Sequence, residues 1–174
     1  MGAFWAAMTD SVSVRRAQRE DHVALAALTV AAYRGLLGDA LGDAYRDELA
    51  DVAGRAEVAR VLVAVDAGKH IVGGVTYLPG PGPLAPFADP REAGIRFLAV
   101  APDAQGQGVG LALVASCVSR AVADGKTRLS LHTTAPMTTA QRLYGRAGFR
   151  RHPGHDFELA SGLVVLAYVL DLGL

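Results

Sequence analysis

Glycine stands at every second position of Gln105-Gly106-Gln107-Gly108-Val109-Gly110, and the segment joins two runs of different character. Residues 93–100 before it read as a strand stopped by Pro102, and the apolar run after it reads as a helix over about 108–123. Alternate glycines remove every second side chain, so backbone N–H groups can converge on one concavity. The first turn of the helix adds N–H groups with no partner inside the helix, and a partial positive charge. Such a turn holds an anion, typically a phosphate. It also limits topology: a strand, this turn, a helix and a further strand at 128–133 form a right-handed crossover with parallel strands.

The residues decide between phosphate ligands. A P-loop needs Lys followed by Ser or Thr after its last glycine, where this chain has Leu111 and Ala112. A dinucleotide pattern begun at Gly106 needs glycine at Leu111. It also favours an acid at the end of the next strand, which closes on His132-Thr133-Thr134. Neither pattern is met.

The other elements follow from periodicity. Residues 11–16 alternate as a short strand does. Asp21 is placed to cap a helix to about Arg34, with Leu25, Leu28 and Ala32 on one face and Gly35 and Gly38 at its end. A second helix covers about 41–53. Residues 58–65 and 70–77 are β-branched runs around Asp66-Ala67-Gly68-Lys69, hence a hairpin. Five prolines and two glycines make 79–90 a loop, and loops of that length often have a function. Leu111, Val114, Ala115, Val118 and Val122 are predicted to form the buried stripe of the helix after the glycine turn. Thr138-x-x-Gln141 reads as a capping box for a helix ending at Gly148; strands begin at Phe149 and span 163–170. The predicted class is α/β with a mixed sheet.

Composition limits partners. Lys plus Arg and Asp plus Glu both count 17, so no net charge draws the chain to nucleic acid or to an anionic membrane. Its 174 residues suit one domain over 12–174, after a loose extension at 1–11 without a signal-peptide pattern. The most apolar stretch, 163–170, is too short to cross a bilayer. A single cysteine, Cys117, fits a reducing cytoplasm. No Cys/His cluster has metal-ligand spacing, so no metal is expected.

Gln105-x-x-Gly108-x-Gly110 matches the Gln/Arg-x-x-Gly-x-Gly/Ala signature of the GNAT N-acetyltransferases, a family the chain resembles. Residues 95–100 ahead of Pro102 look like the family's central strand, and residues 143–149 look like its Tyr-x-x-x-Gly-Phe segment. The resemblance spans 93–150. It implies a GNAT fold: a mixed, mostly antiparallel sheet flanked by helices, whose central parallel pair splays near Val100. It implies acetyl-coenzyme A as cosubstrate. The pyrophosphate would lie on the amides of Gln105, Gly106, Gln107, Gly108, Val109, Gly110 and Leu111, and the pantetheine arm along Leu98, Ala99 and Val100. The implied reaction is acetyl transfer to a primary amine of a small molecule or peptide by direct attack in a ternary complex. Relatives often pair as homodimers. The alternative is an acyl-coenzyme A sensor without turnover.

The resemblance also orders the candidates for chemistry. Tyr144 stands at the family tyrosine, shares a helix face with Ala140, Leu143 and Ala147, and is the candidate general acid, facing the sulfur. The oxyanion donor would be a backbone N–H of 98–100. The strand-edge Glu of many relatives is Gly94 here. The nearest acid, Glu92, would act through a water or be a loop charge. His155, with Asp156 and Glu158, lies in a loop that borders the acceptor site in relatives, and a histidine titrates in the range of a base. Alternation puts His132 in the slot or in the core, with the core expected. Cys117 is expected to be a packing residue. Tyr33, Tyr45 and the 79–90 loop are expected to shape the acceptor pocket.

Overall fold

The computed structural model describes residues 12–159 and 162–173; the expected extension at 1–11 lies outside them. The chain opens with β1 (Val12–Arg16), then α1 (His22–Leu37), α2 (Asp43–Ala50) and α3 (Val52–Val58). A hairpin of β2 (Arg60–Asp66) and β3 (Ile71–Leu78) follows, then β4 (Glu92–Val100), α4 (Val109–Ala123) and β5 (Arg128–Thr134). The last part holds α5 (Thr138–Arg146), β6 (Arg150–Arg151), β7 (Phe157–Glu158) and β8 (Val164–Asp171). All eight strands form one sheet in the order β1-β2-β3-β4-β5-β8-β6, with β7 also on β8.

Every pairing is antiparallel except β4 with β5. The middle of the sheet is covered on both faces, which explains the unbroken apolar run of β2. Leu62 and Ala64 join Leu113 and Cys117 of α4, while Val61, Val63 and Val65 join Leu25 of α1 and Val52 of α3. Each fully buried Val or Leu contributes about 1.5–3 kcal/mol relative to exposure.

The parallel pair holds only from Glu92↔Arg128 to Ile95↔Leu131. Beyond that point Arg96–Val100 pair only with β3, and His132–Thr134 only with β8. The split therefore comes at Ile95, earlier than the expected Val100. Its cause is a bulge. Between Gly74↔Ala99 and Thr76↔Arg96 one extra residue enters β4, and Phe97 takes a left-handed φ of 56°. A bulge bends and twists its strand, here away from β5.

Several local expectations are corrected. Asp21 is the N-cap residue of α1 as expected, but its side chain makes no cap bond; its carboxylate accepts from Gln18 N at 2.6 Å and pairs with Arg15. α1 runs through Gly35 and stops at Gly38, at φ 54°. The expected second helix is two, because the Asp51 side chain accepts from Gly54 N at 2.8 Å and caps α3. Val58 ends α3 rather than starting a strand. α5 is not opened by a Thr138 capping box: its N-cap is Met137, and the Gln141 amide donates to Thr134 O and Ala135 O. α4 buries Val109, Leu113, Val114, Cys117 and Ala121, whereas Leu111, Ala115 and Val118 are half-buried and Val122 is exposed. α5 ends as expected at Gly148 (φ 89°), where Gly148 N bonds Gly145 O and Phe149 N bonds Tyr144 O.

Candidate active site

The turn between β4 and α4 is built from free donors. Gly106 and Gly108 have φ of 77° and 84°, a conformation that strains other residues, and α4 starts at Val109. From Gly106 to Leu111 no backbone N–H donates to a protein acceptor among the described residues; the first helical bond joins Ala112 N to Gly108 O at 2.9 Å. Gln105 differs from the expectation, since its N–H is turned to Pro102 O at 3.4 Å. The Gln107 amide donates to Asp103 O at 2.8 Å and braces the turn from outside. Gly110 has a second reason to be glycine: a Cβ there would lie 2.9 Å from Leu143 Cδ1, so it lets α5 close on α4.

A cavity of about 560 Å³ adjoins the split between β4 and β5. α1 and α2 contribute Tyr33, Tyr45 and Glu48; the 79–90 loop contributes Leu84, Pro86 and Phe87. Arg96 and Phe97 of β4 and Ser130, His132 and Thr134 of β5 face it, and Phe157, Leu163 and Val165 close it from the β7–β8 side. This size suits a small organic ligand.

A model of the Acetyltransferase (GNAT) family matches residues 20–149, about three quarters of the chain, including the glycine turn and the β4–β5 split. The chain belongs to the GNAT acetyltransferase family. It is an N-acetyltransferase that uses acetyl-coenzyme A. Solved structures agree on the fold. A GNAT acetyltransferase from Staphylococcus aureus Mu50 superposes with a TM-score of 0.74 at 14% identity, over 93% of this chain and 99% of that one. A ribosomal-protein-alanine N-acetyltransferase from Brucella melitensis gives 0.69 at 24% identity, over 92% and 99%. A GCN5-related N-acetyltransferase from Kribbella flavida gives 0.69 at 24% identity, over 94% and 99%. No curated protein matches the chain.

The acetyltransferase fits this cosubstrate on its own geometry. Six consecutive N–H groups without protein acceptors suit a pyrophosphate, and β4 beyond Ile95 has a strand partner on one side only. Among the described residues no helix is long and apolar enough to cross a membrane.

Tyr144 of the acetyltransferase is buried on α5 between Phe149 and Tyr168, with ring centroids 6.0 and 6.1 Å away. It does not line the cavity, and its hydroxyl makes no hydrogen bond to a protein group among the described residues. Burial, with Cys117 and Tyr45 nearby, raises its pKa well above the usual phenol value. Cys117 is fully buried and burial pushes its thiol up to about 12, which fits a packing residue.

Glu92 and His155 are not brought to the cavity lining. Glu92 is buried in the paired end of β4, opposite Arg128, and His155 is exposed in a turn with its ring 4.3 Å from that of His152. His132 corrects the expectation of a core histidine: it lines the cavity, half-buried, with its ring 5.5 Å from Phe157. Burial lowers its pKa from the ordinary imidazole value. Thr134 also faces the cavity, and its buried Oγ1 has no hydrogen-bond partner. Neither residue carried a signal, because alternation along β5 does not say which face of the sheet is hollow. Gly94 is explained sterically. A Cβ there would meet Phe87 Cε1 at 2.7 Å, so the ring from the proline-rich loop occupies the space a strand-edge Glu would need.

Proposed function

We propose that the enzyme acetylates the primary amine of a small molecule or peptide bound in the cavity beside the β4–β5 split, by direct attack in a ternary complex. The observation that carries this reading is the order along β4: a turn of free N–H groups at one end, an open strand edge, then a cavity lined by titratable groups. Acetyl-coenzyme A supplies the acetyl group as a thioester. The amides of Gly106 to Leu111 bind its pyrophosphate, and the free edge at Leu98, Ala99 and Val100 takes the pantetheine arm and offers an N–H to the oxyanion. Tyr144 Oη, which bonds no protein group among the described residues, donates its proton to the leaving sulfur. His132, kept neutral by burial, accepts the proton of the amine, and the unpartnered Thr134 hydroxyl helps to orient it. Holding both reactants in one site itself lowers the barrier.

A screen of amines that detects released thiol tests the reading, run beside a melting assay with acetyl-coenzyme A. Stabilisation together with thiol release from one class of amine is the expected result. Stabilisation without turnover of any amine in a broad panel would leave a sensor instead of an enzyme.

A further inference from the structure

Among the residues that line the cavity, Arg96 carries the one fixed positive charge and Glu48 the one carboxylate. The Arg96 guanidinium carbon lies over the Phe97 ring, 4.4 Å from its centroid. Its Nη1 donates to Leu84 O at 3.2 Å and its Nη2 is 3.2 Å from Glu48 Oε1. These contacts use two of its five N–H groups and leave the rest of the fork free.

A second guanidinium lies on the same ring. Arg55 of α3 is 3% exposed and sits 4.6 Å from the centroid of the same Phe97 ring. Its Nη1 donates to the backbone oxygens of Glu48 and Leu49 at 2.6 and 2.9 Å, and its Nε has no partner. No carboxylate lies within ion-pair distance of Arg55 among the described residues. Asp51 also acts on Arg55, and the two guanidinium groups share one aromatic ring and the Glu48 carboxylate. That carboxylate is 39% exposed and holds Arg96 through a single contact, the kind of pair that contributes little and exchanges readily.

We infer that the acceptor is an amine that also carries a carboxylate, an amino acid with an apolar side chain, and that Arg96 selects it by pairing with that carboxylate. This rests on the acetyltransferase reading above. A planar guanidinium held on a ring with its edge free matches a carboxylate in two hydrogen bonds. Two guanidinium groups on one ring disfavour polyamines, which would have to bring further cations beside Arg55 and Arg96. The apolar and aromatic remainder of the lining fits the side chain.

The test compares leucine, methionine and phenylalanine with their amides, with the matching amines that lack the carboxylate, and with spermidine. Values of kcat and KM are measured for wild type, Arg96→Gln and Glu48→Gln, and melting temperatures for all three. In wild type the acids should exceed the amides in kcat/KM by about 10- to 100-fold, the range of a hydrogen bond to a charged group. Arg96→Gln should remove that preference mainly through KM, because the contact is remote from the reacting atoms. Glu48→Gln removes the internal competitor and should lower KM for the acids. A merely structural ion pair would move both variants the same way, so opposite signs identify the role. Binding of N-acetylleucine against N-acetylleucinamide, by calorimetry without acetyl-coenzyme A, should show the same preference and its loss in Arg96→Gln. Equal use of amides, preference for spermidine, or transfer to no acid by a protein that acetyl-coenzyme A still stabilises would each overturn the inference. Transfer to amides or polyamines would do so while leaving the N-acetyltransferase reading intact.

Discussion

Two side chains are placed to move protons in the proposed reaction. The Tyr144 hydroxyl bonds no protein acceptor, so Tyr144→Phe should leave the melting temperature within about 2 °C of wild type. If that hydroxyl protonates the leaving sulfur, the single-turnover rate should fall about 10²–10⁴-fold with the acetyl-coenzyme A affinity unchanged. A retained rate would remove Tyr144 from the mechanism. For His132 the expected signature is a pH profile. Burial holds its pKa below the ordinary value of about 6.5, so the neutral base persists to lower pH than an exposed imidazole would allow. With a weakly basic acceptor, whose own amine is already neutral, kcat/KM should still be level at about pH 6.5, where an exposed imidazole would already be half protonated, and fall only at lower pH. His132→Asn should abolish that limb, and a limb that survives belongs to another group. The sign for stability follows from the same shift. Between the two pKa values the unfolded chain binds the proton and the folded one does not, so His132 lowers stability as pH falls through that window. The melting temperature of wild type should therefore drop more than that of His132→Asn between pH 7 and pH 5.

The turn before α4 is the element whose conformation was most legible in the sequence, because glycine spacing encodes backbone conformation directly. Gly108 at φ 84° makes its own prediction: Gly108→Ala should cost about 1–2 kcal/mol through backbone strain. Gly108→Asp should in addition abolish stabilisation by acetyl-coenzyme A, because a carboxylate would stand among the free N–H groups. A melting shift equal to that of a folded Gly108→Ala would refute the phosphate site. The parallel β4–β5 crossover was legible for the same reason, and so was the end of α5 at Gly148. What the sequence left unread has three physical causes. α4 is apolar or small almost all round, so periodicity could not phase it and pointed to Val118 and Val122 instead of Leu113 and Cys117. The break between α2 and α3 depends on one Asp51 cap inside a charge-rich stretch. The bulge at Phe97 puts a left-handed φ on a residue whose type does not advertise it.

At the scale of the molecule the site consists of two halves that meet where β4 leaves β5. One half is the turn, α4 and the free edge of β4. The other is α1, α2, the 79–90 loop and the β7–β8 side, gathered around the cavity. The halves are joined by one strand, so damage to each should be separable. Phe87 belongs to the second half: its ring packs on Gly94 and lines the cavity. Phe87→Ala should raise KM for the acceptor while the melting shift with acetyl-coenzyme A stays as in wild type. Its destabilisation should fall below the 3–5 kcal/mol typical of a core Phe→Ala change, since the ring borders an existing cavity. The same truncation vacates the space in which a Cβ at position 94 clashes. Gly94→Glu alone should therefore lower both stability and turnover, whereas Gly94→Glu combined with Phe87→Ala should recover much of the stability. Measured as a double-mutant cycle on melting temperature, the two changes should show a favourable coupling, because the contact they share is direct. Strict additivity would mean that Phe87 does not hold the place of the strand-edge carboxylate. Loss of the acetyl-coenzyme A shift in Phe87→Ala would mean that the two halves are not independent.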